Sequence, residues 1–146
     1  MGTKKIVRIL LLEDNPYFND LLMKELRNCV DNNKFRLDFS FVFHTFTDAG
    51  ELIMKLKSKD FKDYYSVAFI DYYLGNGING SHIIKILREQ SADTAIVLIS
   101  QSKSVKEKVN PSGYDYFVPK DSSAAALCRL CLEQYLENKF LNFKAV

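Results

Sequence analysis

Five residues with ionisable or hydroxyl side chains stand where apolar runs end in this sequence. Glu13-Asp14 follows Ile6–Leu12, Asp71 follows Val67–Ile70, Ser100 follows Ala95–Ile99, and Lys120 follows Tyr114–Val118 and Pro119. Together they offer carboxylates, a hydroxyl and an ammonium. Carboxylates crowded into one place repel one another and resist being ionised at once. A hard divalent cation relieves that repulsion, and Mg2+ is typically held by one or two carboxylates plus a phosphate. A lone aspartate facing such a metal is a competent nucleophile for phosphoryl transfer, giving an aspartyl phosphate. The metal, Lys120 and the Ser100 hydroxyl would share the negative charge on the transferred group. All of this requires that elements far apart in sequence deliver the five residues to one place.

The elements that could do so are legible in the apolar pattern. The runs Ile6–Leu12, Val67–Ile70 and Ala95–Ile99 are nearly unbroken, as expected of parallel strands buried on both faces. Tyr114–Val118 reads as a shorter fifth strand. From Phe35 to Phe43 every odd residue is apolar, which predicts a long strand with one wet face, placed at a sheet edge. Between the strands lie helical patterns. Asn15-Pro16 pairs an N-cap with a proline at the first helical position and opens a helix to about residue 29, carrying Phe18, Leu22, Leu26 and Cys29. Thr47 or Asp48 caps a second helix with Leu52, Ile53 and Leu56, and a third opens at Ser81 with Ile83, Ile84 and Leu87. Residues 103–109 are polar and lysine-rich and are cut short by Asn110-Pro111. Asp121-Ser122-Ser123 caps a last helix to roughly residue 138. Strands alternating with helices predict an α/β domain around a parallel sheet. In such a sheet the strands' carboxyl ends share one edge, where ligands bind, so the five residues converge.

The order Glu13-Asp14, Asp71, Ser100, Lys120, each closing a strand of a five-stranded βα repeat, resembles the receiver domain of two-component response regulators. The resemblance covers about Ile6 to Leu136. It implies a flavodoxin-like doubly wound (βα)5 fold with a five-stranded parallel sheet in the order 2-1-3-4-5, which places strand 2 at an edge. It implies that Glu13, Asp14, Asp71 and the backbone carbonyl of Tyr73 hold Mg2+. Asp71 would accept a phosphoryl group from a histidine kinase or a histidine phosphotransfer protein, with Ser100 and Lys120 contacting the phosphate. Ser100 and the aromatic Phe117 would form the switch, and the face made by the helix after strand 4, strand 5 and the last helix would pass the change to a downstream target protein. Tyr73 and Ser102 occupy positions that in this family tune hydrolysis, and the bulk of Tyr73 implies a longer-lived phosphorylated state.

The sequence departs from the family pattern in a few places. Glu13 stands where a second aspartate is common, which moves one carboxylate by a methylene. Gly75 replaces a frequent proline in a loop reaching Gly80. Asp121 follows Lys120 where proline is usual, so no cis bond is expected there, while Pro119 leaves the bond before it open to either isomer. The early stop at Asn110-Pro111 shortens a helix of the output face and so bears on partner choice.

Composition narrows the classes. The chain has 146 residues and a net charge of +2, suited to one domain with a substantial core and too little charge to imply a nucleic-acid or membrane surface. The run Ile6–Leu12 is too short for a signal peptide and nothing approaches a transmembrane span, so a cytoplasmic home is the expectation. The domain expectation is one receiver over residues 1–146, core about 6–138, with no output domain. It would not turn over outside substrates, because no segment is left to build a cap or substrate pocket. Cys29, Cys128 and Cys131 read as reduced thiols, with Cys128 and Cys131 acting as small core hydrophobes. His44 and His82 read as solvated, and the lysines at 55, 57, 59, 62, 103, 106 and 108 as solvated helix faces with acids interspersed. The phenylalanine-rich second strand also raises the expectation of a partner or homodimer contact. The alternative function is a receiver that keeps the fold and serves as an interaction module without phosphate.

Overall fold

Consecutive residues of the inner strands are buried on opposite faces of the sheet, and those two sets build the two sides of the molecule. A computed structural model describes residues 4–58, 64–75, 77–102, 104–105 and 113–145, the side chains of 142–145 excepted. The strands are β1 (Lys5–Leu12), β2 (Phe39–Phe46), β3 (Val67–Asp71), β4 (Ala95–Ser100) and β5 (Tyr116–Pro119). The described helices are α1 (Pro16–Asn32), α2 (Ala49–Leu56), α3 (Gly80–Gln90) and α4 (Ala124–Ala145). All strand pairs are parallel, in the order β2-β1-β3-β4-β5. Val7, Ile9, Leu11, Val67, Phe69, Val97 and Ile99 pack with α1 and α4 residues such as Leu22, Leu26, Cys128 and Leu132. Their neighbours in sequence, Leu10, Leu12, Ala68, Ile70, Ile96 and Leu98, pack with Leu52, Leu56, Ile83 and Leu87 of α2 and α3. Side chains alternate across a strand, so an unbroken apolar run serves both layers at once. This is the doubly wound, flavodoxin-like arrangement expected. The lysine-rich stretch after β4 and Asn110-Pro111 lie largely outside the described residues, as do Lys59, Asp60, Lys62 and Asp63.

Several boundaries differ from expectation for local reasons. Strand β2 is the edge strand, but it starts at Phe39 rather than Phe35 and runs on to Phe46. The Asn33 side chain accepts from the Phe35 amide at 2.8 Å, and Arg36 and Asp38 close successive backbone turns, so residues 34–38 are coiled back. Leu37 is consequently exposed, while Phe35 turns inward and stacks on Phe140 at 4.1 Å between ring centroids. That contact accompanies an α4 that extends to Ala145, past the expected end near 138. Helix α1 continues to Asn32 rather than ending near residue 29. β5 begins at Tyr116, later than the Tyr114 expected, and includes Pro119. No described peptide bond is cis.

Capping at α1 is as the sequence predicts, while α3 opens at Gly80, one residue before the Ser81 expected. The Asn15 side chain accepts from the Phe18 amide and Pro16 takes the first helical position. Asp48, not Thr47, caps α2. Asn79 caps α3, and the exposed His82 side chain accepts from the Asn79 amide in return, which gives that histidine a structural task. His44 is a correction: it is half-buried, hydrogen-bonded to Tyr65 Oη at 3.0 Å and flanked by the rings of Tyr64 and Tyr65. Burial, with Lys55 and Arg8 nearby, lowers its pKa. The three cysteines are free thiols packed as core or near-core residues, and burial pushes Cys29 up to about 12 and Cys131 up to about 11.

Candidate functional site

The carboxyl ends of β1, β3, β4 and β5 lie side by side because every strand of the sheet points the same way. Glu13 and Asp14 follow β1, Asp71 ends β3, Ser100 ends β4 and Lys120 follows β5. Pairing brings Ser100 opposite Pro119, and the Lys120 amide donates to the Ser100 carbonyl at 2.8 Å. The Tyr72 amide donates to the Ile99 carbonyl, so β3 and β4 stay in register just past Asp71.

Three carboxylates do converge. Glu13, Asp14 and Asp71 each place an oxygen within 4.8 Å of the others. Glu13 is fully buried, Asp71 is 2% exposed and Asp14 faces solvent. The Lys120 ammonium donates to Glu13 Oε1 at 2.7 Å and reaches Asp71 Oδ2 at 3.4 Å. Glu13 Oε1 also accepts from the Asn15 amide at 3.2 Å, but Glu13 Oε2 is buried without any partner. An unpartnered buried carboxylate oxygen is costly, so one beside two further carboxylates is a position that a hard cation would satisfy. Burial foremost, then the Glu13 charge, raises Asp71 to about 7 despite the opposing pull of Lys120. Burial alone would depress Lys120, yet the hydrogen bond to Glu13 and the charges of Asp71 and Glu13 outweigh it, so its pKa rises.

The loop after Asp71 is held by its glycines. Gly75 and Gly77 adopt φ of 74° and 73°, the left-handed region that costs glycine least. Gly80 meets a different demand: a Cβ there would lie 2.8 Å from the Asp71 carbonyl oxygen and 2.9 Å from Tyr72 Cα. The Gly80 amide donates to the Tyr72 carbonyl at 2.7 Å, and Tyr73 forms an antiparallel bridge with Asn79. The loop thus folds back against the backbone that carries Asp71. Tyr73 itself is 49% exposed, edge-on to Tyr72.

The remaining predicted side chains lie on β4, just after it, and on β5. Ser100 is 1% exposed, and its Oγ accepts from the Ser102 amide at 3.2 Å, while Ser102 Oγ bonds Ser104 Oγ. Phe117 lies on β5 opposite Leu98, half-buried, with its ring 6.4 Å from that of Tyr114. Two contributors escaped sequence reasoning. Buried Asn19 donates from its side chain to the Glu13 carbonyl at 3.3 Å, steadying the β1–α1 junction. The ring of Phe18 lies 4.7 Å beneath the Lys120 ammonium. Its helical spacing marked Phe18 as core, and no local signal pairs it with a lysine near the other end of the chain.

No protein-family model matches the chain, and no curated protein matches it in sequence. Solved structures do match in fold. A CheY-like response regulator receiver domain protein from Methanospirillum hungatei JF-1 aligns over 92% of this chain and 98% of its own, at TM-score 0.69 and 16% identity. The response regulator TrrA of Thermotoga maritima, in complex with Mg2+–BeF, aligns over 88% and 98%, at TM-score 0.68 and 20% identity. The CheX–CheY–BeF3–Mg2+ complex of Borrelia burgdorferi contains a chain aligned over 92% and 89%, at TM-score 0.63 and 15% identity. Strand order, layer arrangement and these alignments agree, and the fold of this chain is that of the response regulator receiver domain.

Proposed function

We propose that this chain is a phosphoacceptor switch in which Asp71 takes a phosphoryl group from a phosphohistidine donor, a histidine kinase or a phosphotransfer protein. The observation that carries the reading is the carboxylate cluster itself: buried Asp71 and Glu13 beside exposed Asp14, with the Lys120 ammonium bridging Glu13 and Asp71. Glu13, Asp14 and Asp71 would hold Mg2+, with the Tyr73 carbonyl as a further oxygen, and the orphaned Glu13 Oε2 supports the fit. The ion, when bound, supplies charge neutralisation for the transferred group. Asp71 is the nucleophile: its carboxylate oxygen forms the new bond to phosphorus as the bond to the donor histidine nitrogen breaks, and the nitrogen keeps the electron pair. Lys120 and the Ser100 hydroxyl then bind the new phosphate oxygens. Ser100 gives up its bond from the Ser102 amide to do so, and Phe117 turns into the space vacated. The two conformations interconvert in either state, and the phosphate biases them by adding charge and acceptors beside Ser100 and Lys120. Output passes to a protein bound at the β5–α4 face; the partner present in the CheX–CheY complex supports a protein target. The activity is one self-modification per molecule, not turnover of outside substrates.

The test is incubation with acetyl phosphate, with and without Mg2+, on wild type and Asp71→Asn, read by intact mass. A Mg2+-dependent gain of one phosphoryl group, absent from the variant, is expected. No gain in wild type under any condition would overturn the reading and leave a phosphate-independent interaction module.

A further inference from the structure

We propose that Phe18 is a positioning residue for Lys120, and that its ring keeps the ammonium inside the site while its carboxylate partners change. The inference deepens the phosphoacceptor reading and rests on it for its functional consequence, though not for its geometry. The ammonium has three N–H bonds. Two carboxylates engage it in this structure, at 2.7 Å and 3.4 Å, and the Phe18 ring centroid lies 4.7 Å away. An ammonium within about 6 Å of an aromatic centroid is attracted by the negative face of the ring. The ring is itself fixed. It packs half-buried against the core below, and its backbone amide donates to the Asn15 cap at 3.1 Å, so the first turn of α1 sets its place.

The consequence follows from the different directional demands of the two interactions. A hydrogen bond to Glu13 Oε1 holds Nζ at one point and weakens steeply off axis. The ring face attracts a cation over a broad area. When the carboxylates acquire other partners and a phosphate appears on Asp71, the ammonium must leave Glu13 and reach new oxygens. A long flexible lysine released at that moment would gain rotamer freedom and drift towards water. The ring gives it a surface to move across without leaving. Leucine at position 18 would preserve the apolar packing and remove the quadrupole; tyrosine would preserve both.

The test compares Phe18→Leu and Phe18→Tyr with wild type, after confirming that each keeps its amide spectrum. Two readouts are used: the ring-shifted NMR resonance and order of the Lys120 ε-methylene, and the initial rate of phosphoryl uptake from acetyl phosphate. Phe18→Leu should lose the ring shift, mobilise the methylene and slow uptake by about threefold to tenfold, within the range a cation–π contact supports. Phe18→Tyr should retain both properties. A leucine variant with wild-type Lys120 order, or one that mobilises Lys120 yet takes up phosphate at the wild-type rate, would overturn the proposal. If wild type takes up no phosphate, the phosphoacceptor reading falls, and the positioning role stands or falls on the Lys120 resonance alone.

Discussion

At the scale of single residues, the site is governed by the cost of burying charge. Asp71 is almost fully buried beside buried Glu13, and one lysine serves both. The result is a carboxyl raised from 3.8 to about 7. Over that interval the folded chain retains a proton that the unfolded chain has released. The stabilisation is therefore fully present below the ordinary carboxylate pKa and is lost as pH rises through about 7. Wild type in chelator should lose stability between about pH 4 and pH 8 more steeply than Asp71→Asn, which has no charge to bury. At pH 8 the asparagine variant should be the more stable by about 1–3 kcal/mol. Urea midpoints across that range check this, and parallel curves for the two proteins would contradict it. The same repulsion keeps the site receptive to a cation, so instability without a ligand and readiness for one share a cause.

At the scale of elements, the junctions constrain the candidate site more tightly than the strands alone do. The β3–α3 connection turns back tightly enough that Gly80 leaves room for nothing beyond a hydrogen, and the closest atoms opposing a Cβ are main chain, which cannot rotate aside. Gly80→Ala should cost about 1–3 kcal/mol, as overpacking commonly does. A lower urea midpoint with an unchanged slope is the expected signature, and a midpoint equal to wild type would show that the loop relaxes freely. Helix α3 is fastened at its far end as well. Arg88 donates to the Gly113 and Thr94 carbonyls and pairs with Asp115, whose carboxylate also accepts from the Ile96 amide, so one side chain ties α3 to the approaches of β4 and β5. The short strand that delivers Lys120 is thereby held by more than its own ladder.

At the scale of the molecule, a sheet covered on both faces leaves the carboxyl edge as the place where acidic groups gather. Glu13, Asp14 and Asp71 come from two strands that are adjacent only after folding, so the cation they would bind has affinity for the native chain and little for the unfolded one. Mg2+ at about a hundred times its dissociation constant should stabilise the fold by about 2.7 kcal/mol. For a chain of this size that is a rise in melting temperature of roughly 5–10 °C. Asp14 is exposed and would contribute a ligand without filling the core, so Asp14→Ala should fold normally and lose most of the Mg2+ response. A full shift in that variant would show that the cation binds elsewhere.

The strands, the class of sheet and the five residues at its edge are all legible in the linear pattern. An unbroken apolar run such as Ile9–Leu12 in β1 is a local property, readable because two buried faces demand it. The capping of α1 by Asn15 and Pro16 is local for the same reason. Other features came from contacts between distant segments. Strand β2 starts at Phe39 rather than Phe35, because the Asn33 turn and the Phe35–Phe140 stack outcompete extension of an alternating pattern. Folding also drew His44 out of solvent through Tyr65, gave Gly80 its constraint through Asp71, and set Phe18 under Lys120. Each of these depends on what another segment places opposite, and a linear pattern records a residue's own preference without naming the neighbour that will meet it.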